Sequence, residues 1–326
     1  MAHPAVDLVI VHRDKPESLL RTVAAFRAQS LRPRIVVVDN GSSPAALGRA
    51  RAGLPPAVEL IAAGANTGFG PGANIGLRWL LDHDPAPWLA VCPHDAHPLP
   101  RCLERLVAVA AAQPRAGLAS ADVGDGLTPV VDRYFGAIPA PATVADGWEP
   151  AGYPHGTLMV ARRECLAAVG LFDERYFAYC EEAELAIRAK AAGWQVGVVR
   201  GAEVRNTDVG SRAAVVDYLQ LRNTLLMVRD HSGRYHAAIR TAIALWDLAA
   251  GGLDPRRRGP YWAPRARLLA LAHHLRGRYG PPPPGLFGDG RVTAGARRPR
   301  RAAPAAGGSP RPRARAGVPA GPARDR

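Results

Sequence analysis

The sequence predicts an α/β fold, with a mostly parallel β-sheet flanked by helices and a helical C-terminal region. Short apolar runs alternate with longer amphipathic stretches through the first hundred residues. The stretches between the apolar runs are long enough to hold a helix, and this order is typical of a parallel sheet. With 326 residues, 48% of them hydrophobic, the chain can bury a sizeable core.

The first 120 residues supply these elements in regular order. Strands are predicted at 8–11, 35–38, 58–61, 88–91 and 116–120. Helices are predicted at about 16–29, 44–53, 71–83 and 98–113. Each helix follows a strand, so consecutive strands are expected to run in the same direction.

The middle of the chain changes character. Residues 122–153 are rich in Gly, Pro and Asp with few periodic apolar positions, which predicts a long loop. Order is predicted to resume with a strand at 156–160, a turn at Phe172-Asp173-Glu174, a helix at about 181–192 and a strand at 195–199. The α/β domain is therefore expected to span 1–212.

Two further regions follow this domain. Residues 213–284 contain three helical stretches, of which the last, near 262–279, mixes Arg and His with leucines and alanines and predicts either a packing appendage or a membrane-surface helix. Residues 285–326 form a basic Arg/Pro/Ala tail, which is predicted to be disordered because it has too little apolar content to offset chain entropy.

Charge and cysteine usage exclude some classes of protein. Ten arginines and one aspartate in 291–326 carry nine of the 14 excess positive charges, so the body is only mildly basic. Residues 291–326 contain no aromatic residue for base stacking, which disfavours a specific nucleic-acid function. The four cysteines form no CxxC pair and are expected to be reduced, packed thiols. No signal or spanning segment is seen, which predicts a cytoplasmic protein.

Polar residues follow four successive predicted strands. They are Asp14, then Asp39-Asn40, then the glycine-rich stretch 66–76, NTGFGPGANIG, and then His94-Asp95. Because the carboxyl ends of parallel strands open on one edge, where ligands bind, we expect these residues to line a nucleotide crevice.

Each motif also has a simpler interpretation. Asp39 can accept from a pyrimidine N–H or a ribose hydroxyl, or it can form an Asx-turn. Gly68, Gly70 and Ala73 match the G-x-G-x-x-A dinucleotide variant, but they begin several residues after their strand, so a nicotinamide site is a minor alternative. Asp95, with His94 and His97, suits a divalent cation, although it can equally cap the following helix.

Three carboxylates begin the predicted helix at 181, namely Glu181, Glu182 and Glu184. Acidic first turns are common because they complement the helix dipole. The aromatic setting, FDERYFAYCEE, favours a functional interpretation, since apolar surroundings desolvate a carboxylate and raise its basicity.

Taken together, VIVHRDKPESL, VVVDNGSS, NTGFGPGANIG, the Asp95 segment, GLFDERYFAYCEEAELAIRAKAAGW and the segment from Tyr218 to Arg222-Asn223 resemble family-two inverting glycosyltransferases with a GT-A fold. The similarity spans about residues 5–231 in the same order. It is greatest to the bacterial branch of rhamnosyl- and galactofuranosyl-type transferases.

This resemblance implies a role for each matching residue. Glu182 matches the general base, with Glu181 beside it, and Asp95 matches the final aspartate of the metal motif, with His97 as a further metal candidate. Asp39 matches the nucleobase contact. The residues expected to line the donor site are Asp14, Asp39, Asn40, Asn66, Gly68, Phe69, Asn74, His94 and Gly156. The implied mechanism is a single displacement with inversion, in which Mg²⁺ or Mn²⁺ stabilises the leaving diphosphate.

Three positions depart from the family pattern. Pro93 replaces the first acid of the metal motif, Glu182 replaces an aspartate, and Asn206 stands where many relatives have a metal-binding histidine. Because an amide is a poorer ligand than imidazole, we expect His94, His97 or His155 to compensate, or Mg²⁺ to be held mainly by diphosphate oxygens.

The implied function is transfer of a sugar from a dTDP- or UDP-linked donor to a hydroxyl of a glycan or lipid-linked acceptor, in cell-envelope polysaccharide synthesis. A peripheral contact with the inner face of the membrane is expected through the basic helix near 262–279. The alternative, motivated by the three departures, is a non-catalytic relative that binds nucleotide-sugars.

Overall fold

A mixed nine-stranded sheet lies at the centre of the part of the chain that the structure describes, residues 5–206 and 212–287 of a computed structural model. These residues lie within one compact unit, Met1–Gly288. The predicted tail lies, from residue 288 onward, outside the described residues. The strands are β1 Val6–His12, β2 Arg34–Asp39, β3 Glu59–Ala62, β4 Trp88–Pro93, β5 Ala96–Pro98, β6 Ala116–Asp122, β7 Leu127–Asp132, β8 Gly136–Pro141, β9 Gly147–Pro150, β10 Met159–Arg162 and β11 Gln195–Asn206.

The sheet order is β3-β2-β1-β4-β10-β6-β11-β5, with β9 also paired to β11. Strands β1 to β4 pair in parallel, and β6 pairs in parallel with β11, while β10 runs antiparallel to both β4 and β6. Six strands therefore share one direction, and their carboxyl ends lie on one edge of the sheet. The predicted α/β class is confirmed, and the three remaining strands, β5, β9 and β10, run in the opposite direction.

Helices cover both faces of the sheet and form the C-terminal region. They are α1 Pro16–Arg27, α2 Pro44–Gly53, α3 Phe69–His83, α4 Cys102–Ala111, α5 Arg163–Val169, α6 Glu181–Ala191, α7 Ala213–Ser232, α8 Arg234–Leu253, α9 Pro264–Leu275 and α10 Pro284–Phe287. One apolar core contains Leu8, Ile10 and Phe26, and a second on the opposite face contains Val9, Val11 and Leu77. Alternate residues of β1 thus pack into different cores.

The prediction of a loop at 122–153 was wrong. This segment forms the β7–β8 hairpin and the strand β9, which pairs with β11. Polar contacts stabilise it. The buried guanidinium of Arg200 donates to Asp122 Oδ1 (3.1 Å), to Thr128 Oγ1 (2.7 Å) and to Glu149 Oε2 (2.5 Å). Because these contacts join residues far apart in sequence, apolar periodicity does not reveal them.

Several boundaries also differ from the predictions. The strand expected at 156–160 is β10, which begins at Met159, and the predicted helix at 98–113 begins at Cys102 because residues 96–98 form β5. Strand β11 continues to Asn206, and α5 was not predicted. All four cysteines are free thiols. None of the described helices is long and apolar enough to cross a membrane.

Candidate active site

Asp39 ends β2 and is buried beside His12, which ends β1. His12 Nε2 accepts the backbone N–H of Lys15 (3.1 Å), so Nδ1 carries the proton and donates to Asp39 Oδ1 (3.1 Å). Burial, with His94 nearby, lowers the pKa of His12 and keeps this ring neutral. Asp39 Oδ2 accepts the backbone N–H of Ser42 (3.2 Å). One carboxylate is thus held rigidly at the carboxyl edge of the sheet.

The loops around Asp39 are joined to each other. Asp14 has a left-handed backbone (φ 53°); its N–H donates to Ser42 Oγ (2.8 Å), and its Oδ1 accepts the N–H of Ser43 (2.8 Å). Asn40 Oδ1 accepts from Thr67 N (3.0 Å) and Thr67 Oγ1 (2.8 Å), and Asn40 Nδ2 donates to the Gly68 carbonyl (2.7 Å). Buried Asn40 therefore positions the glycine-rich loop.

Two residues predicted to line the donor site, Gly68 and Asn74, make structural contacts, and their place in the donor site stays a prediction. Gly68 (φ 101°) begins α3, and a side chain there would overlap the Phe177 carbonyl oxygen, so the close approach at this glycine is made by protein backbone. Asn74 is buried and forms two hydrogen bonds with the backbone of Phe172. Its Nδ2 donates to the Phe172 carbonyl (2.9 Å), and its Oδ1 accepts the Phe172 N–H (3.1 Å). Its amide also donates to Glu174 Oε1 (3.2 Å).

His94 and Asp95 follow β4. The His94 ring packs edge-on against His12, with 5.6 Å between ring centroids, which connects this strand end to Asp39. Asp95 is nearly buried and lines a cavity of about 870 Å³. His97 does not line this cavity, although its Nε2 is buried without a hydrogen-bond partner among the described residues. Its role as a metal ligand stays a prediction.

The cavity is of the size that substrates occupy. It lies between the carboxyl edge of the sheet and the C-terminal helices. Its lining residues on the sheet side include Phe69, Pro93, Asp95, Tyr153, His155, Gly156, Thr157, Glu181, Glu182 and Asn206. Its lining residues on the helical side include Val216, Asp217, Gln220, Leu221, Thr224, Arg240, Tyr261 and Arg267.

Glu182, in the first turn of α6, has its carboxylate against the backbone of Gly156. A Cβ at position 156 would overlap Glu182 Oε1. Burial raises the pKa of Glu182, and it also raises the pKa of Tyr153 beside it. The helix N-terminus favours the charged carboxylate, but the direction of the shift shows that desolvation outweighs this effect. A carboxylate with raised pKa is suited to accept a proton.

Glu181 differs from its neighbour. Its side chain is 2% exposed, and Oε2 is buried with no hydrogen-bond partner in the described chain. Burial and the charge of Glu182 raise the pKa of Glu181 well above the usual range, which favours its protonated form. Glu184 is not in the cavity. It pairs with Arg188 (2.7 Å) and His231 (3.3 Å).

The loop before these glutamates has an unusual backbone. Phe177, Tyr179 and Cys180 all have φ between 64° and 72°, a region that non-glycine residues rarely adopt. Asn223 of α7 holds this loop, because its Nδ2 donates to the carbonyls of Tyr176 (2.7 Å), Ala178 (2.8 Å) and Tyr179 (2.8 Å).

Arg222 fixes the orientation of that amide. Its Nε and Nη2 donate to Asn223 Oδ1 at 3.1 and 3.0 Å, and its Nη1 donates to Tyr218 Oη (3.0 Å). Both Arg222 and Asn223 are fully buried. The Tyr218 to Asn223 motif therefore positions the chain that leads into Glu182.

Five of the predicted site residues line the cavity together: Phe69, Asp95, Gly156, Glu181 and Glu182. Eight do not line it: Asp14, Asp39, Asn40, Asn66, Gly68, Asn74, His94 and His97. Of these, Asp39 ends β2, and Asp14 and Asn66 lie in the loops after β1 and β3, where Asn66 Oδ1 accepts the Gly68 N–H (3.2 Å).

Sequence reasoning did not identify four residues of this region: His12, Tyr153, Arg240 and Arg267. The sequence did hold a signal for His12, because this polar residue immediately follows the apolar run at 8–11 and lies two residues before Asp14. The two arginines carried none, because they lie on different helices and come together only in the folded chain.

The cavity residues fit a divalent cation that is bound partly by the protein and partly by the substrate. No cluster of three or more His, Cys, Asp or Glu side chains suited to a metal occurs within 5–206 and 212–287. Asp95 supplies a carboxylate next to Ala96, which pairs with Asn206 of β11, and Mg²⁺ is commonly bound by one or two carboxylates together with substrate phosphates. The donor set thus fits a cation that shares its ligands with a diphosphate.

The model of glycosyl transferase family 2 matches residues 7–169, which is half of the chain. The chain belongs to glycosyltransferase family 2. It is 27% identical over 267 residues to the N-acetylglucosaminyl-diphospho-decaprenol L-rhamnosyltransferase of Mycobacterium tuberculosis, covering 68% of this chain and 83% of that one. This match agrees with the predicted rhamnosyltransferase-like branch.

Solved structures place this glycosyltransferase in the GT-A fold. The mannosyltransferase PcManGT from Pyrobaculum calidifontis, in complex with GDP-Man and Mn²⁺, aligns with a TM-score of 0.57 and 15% identity, covering 85% of this chain and 89% of that one. GalNAc-T7 with UDP, GalNAc and Mn²⁺ aligns with a TM-score of 0.58 and 15% identity, covering 84% and 56%. The predicted fold and enzyme class are confirmed.

Proposed function

We propose that this glycosyltransferase transfers a sugar of the rhamnose type from a dTDP- or UDP-linked donor to a hydroxyl of a lipid-linked N-acetylglucosaminyl diphosphate, in cell-envelope polysaccharide synthesis. The observation that carries the catalytic part is Glu182, a half-buried carboxylate with raised pKa that lines the same cavity as Asp95. The rhamnosyltransferase relative, which the chain matches over most of both lengths, supports the choice of sugar and acceptor.

In the proposed reaction, Glu182 takes the proton of the acceptor hydroxyl. The freed oxygen attacks the anomeric carbon of the donor, and the bond from that carbon to the diphosphate breaks on the opposite face. The product has inverted configuration, and the electron pair leaves with the nucleoside diphosphate. The absence of a side chain at Gly156 leaves room for the carboxylate, and Tyr153 lies near it in the same cavity.

Asp39 is proposed to bind the nucleobase, because its remaining lone pairs can accept a ring N–H while His12 and Ser42 hold it. Asp95 would hold a divalent cation, Mg²⁺ or Mn²⁺, together with the donor diphosphate, and that cation would offset the negative charge of the leaving group. The alternative of a non-catalytic binder is not favoured, since a carboxylate in the cavity whose pKa is raised by desolvation is suited to accept a proton.

A transfer assay tests the proposed substrates. The full chain is incubated with a panel of dTDP- and UDP-sugars and a short-chain prenyl diphosphate that carries N-acetylglucosamine, with Mg²⁺, Mn²⁺ or EDTA. We expect release of nucleoside diphosphate and a glycosylated lipid with a rhamnose-type donor, and loss of both with EDTA. Efficient transfer from donors with other sugars alone would contradict the proposed rhamnose-type donor. Unchanged turnover in EDTA would contradict the proposed dependence on a divalent cation.

A peripheral contact with the membrane is also proposed, but through the outer faces of α8 and α9 rather than through the basic residues near 262–279. Half of the basic residues of the helix near 262–279 face inward: Arg267 pairs with Asp217, and His273 and His274 contact tyrosines. The outer faces of α8 and α9 instead expose large apolar residues beside arginines: Tyr235, Leu245, Trp246, Leu253, Leu268 and Leu275. Co-sedimentation with anionic vesicles should exceed that with neutral ones; equal binding would refute the electrostatic part.

A further inference from the structure

The helical side of the cavity contains two arginines. This helical wall includes Val216, Asp217, Gln220, Arg240, Tyr261 and Arg267. Asp217 Oδ2 accepts from Arg267 Nε (2.9 Å) and from the backbone N–H of Ala263 (2.8 Å), so the charges of this pair offset each other. Arg240 has no such hydrogen-bonded carboxylate in the described part of the chain, and the exposed Asp247 on the same helix offsets its charge only in part.

Arg240 lies in the first half of α8. Its Nε and Nη1 atoms are buried and have no hydrogen-bond partner among the described residues. Burial lowers the pKa of Arg240, and the neighbouring Arg267 lowers it further. A guanidinium remains charged under all ordinary conditions, so these N–H groups carry a desolvation cost that no protein acceptor offsets. Such a group in a cavity wall is a candidate to bind an anion.

The helical wall also lies at a suitable distance from the base. On α7, Thr224 is beside Cys180, with 3.8 Å between Oγ1 and Sγ, and Cys180 precedes the glutamates. Asp217, which holds Arg267, is seven residues earlier on the same helix, about 10 Å along its axis. One sugar ring can therefore lie between Glu182 and the arginine end of the cavity.

We propose that Arg240, assisted by Arg267 and by the neutral donors Gln220 and Tyr261, binds the diphosphate group of the lipid-linked acceptor. The identity of the acceptor rests on the proposed function, whereas the preference for a diphosphate rests on the helical wall itself. The donor diphosphate is the other possible source of phosphate oxygens. It is assigned to the Asp95 side, at the carboxyl end of β4, because the cavity separates that strand end from α8.

Transfer to two acceptors tests this site. One is N-acetylglucosamine on a prenyl diphosphate, and the other is a neutral alkyl glycoside of the same sugar. For Arg240→Gln we expect the KM of the diphosphate acceptor to rise about tenfold to a hundredfold, the size of a lost charged hydrogen bond. The KM values of the neutral glycoside and of the donor should not change. Arg234→Gln, at the exposed start of α8, should match wild type throughout.

Two results would overturn the proposal. An equal rise in KM for both acceptors would show a general packing role, and a rise confined to the donor would assign Arg240 to the donor diphosphate. Thermal unfolding provides a further check. Arg240→Gln should keep or raise the Tm because it removes a charged group whose Nε and Nη1 are buried without hydrogen-bond partners among the described residues, so a marked fall in Tm would also contradict the proposal.

A binding experiment separates this site from the choice of sugar. Farnesyl diphosphate is titrated calorimetrically into wild type and Arg240→Gln, with excess nucleoside diphosphate and Mg²⁺ present to fill the donor side. We expect weaker binding to the variant, even if the proposed acceptor sugar were wrong and wild type transferred to neither acceptor. Equal affinity for both proteins would refute the site.

Discussion

The two sides of the active site differ in how their polar groups are satisfied. At the strand ends of β1 and β2, His12, Asp39 and Asn40 form hydrogen bonds with one another and with adjoining loops. On the side formed by α6 to α9, Glu181 Oε2 and the Arg240 Nε and Nη1 atoms are buried without partners among the described residues. The first side is preorganised, whereas the second retains unsatisfied charge and strained backbone. Unsatisfied groups of this kind are usual where a protein binds or reacts.

Replacing the base should have the largest effect. Glu182→Gln is expected to lower transfer about 10²- to 10⁴-fold, because the amide cannot accept the acceptor proton. Glu181→Gln should retain most activity, since an amide has the shape of the protonated carboxyl. Nucleoside diphosphate release measures both. Equal losses in the two variants would mean that they share the role of base.

The pH profile sharpens the same comparison. A base must be ionised, and burial raises the pKa of Glu182, so kcat/KM should rise with pH through a limb that lies above the usual range of glutamate. The residual rate of Glu182→Gln should lack this limb. If the same rise of kcat/KM with pH persisted in Glu182→Gln, the ionisation that causes it would belong to another group.

Gly156→Ala should give the next largest effect, because the added methyl displaces the Glu182 carboxylate. We expect kcat to fall about 10- to 100-fold. The Tm should change little, since the overlapping atom ends a side chain that can move. Gly152→Ala is the matched control: its methyl would meet the Val130 and Val131 backbone at 2.5 to 2.7 Å, so it should lower the Tm. A stable, fully active Gly156→Ala would refute the placement of Glu182.

Asn223→Ala tests the strained loop. Losing the bonds to three carbonyls should cost about 2 to 3 kcal/mol of unfolding free energy, and release of the loop should lower kcat about tenfold with little change in donor KM. Asn74→Ala removes a comparable buried amide that holds Phe172, so we expect a similar loss of stability with a smaller loss of kcat. If both variants lost kcat equally, Asn223 would have a general structural role only.

Asp39→Asn should have the smallest effect, on the satisfied side. The amide oxygen can still accept from His12, but the NH2 group cannot accept a nucleobase N–H. We expect donor KM to rise a few-fold to about tenfold, with kcat nearly unchanged. Asp14→Asn, at a half-exposed position, should raise the donor KM less than Asp39→Asn does. Steady-state kinetics with varied donor distinguish the two, and an unchanged KM in Asp39→Asn would place the nucleobase elsewhere.

Local pattern was a good guide where strands and helices alternate. The first four strands were predicted because buried parallel strands give continuous apolar runs, such as VDLVIVH in β1. It failed at 122–153, where a buried Arg200 network stabilises the strands, and at β10, whose reversed direction depends on its partners in the sheet. The domain boundaries at 212 and 284 stay predictions.

The sequence by itself determined the α/β class, the polar residues at the strand ends and the glutamate pair at the start of α6, because each depends on residues close together in the chain. Only the tertiary structure decided which of them meet. It placed Glu182 against Gly156, used Gly68 to accommodate Phe177, and brought Arg240 and Arg267 into one wall. Burial and contacts between distant segments set these positions and the shifted pKa values, and neither can be seen in the order of residues alone.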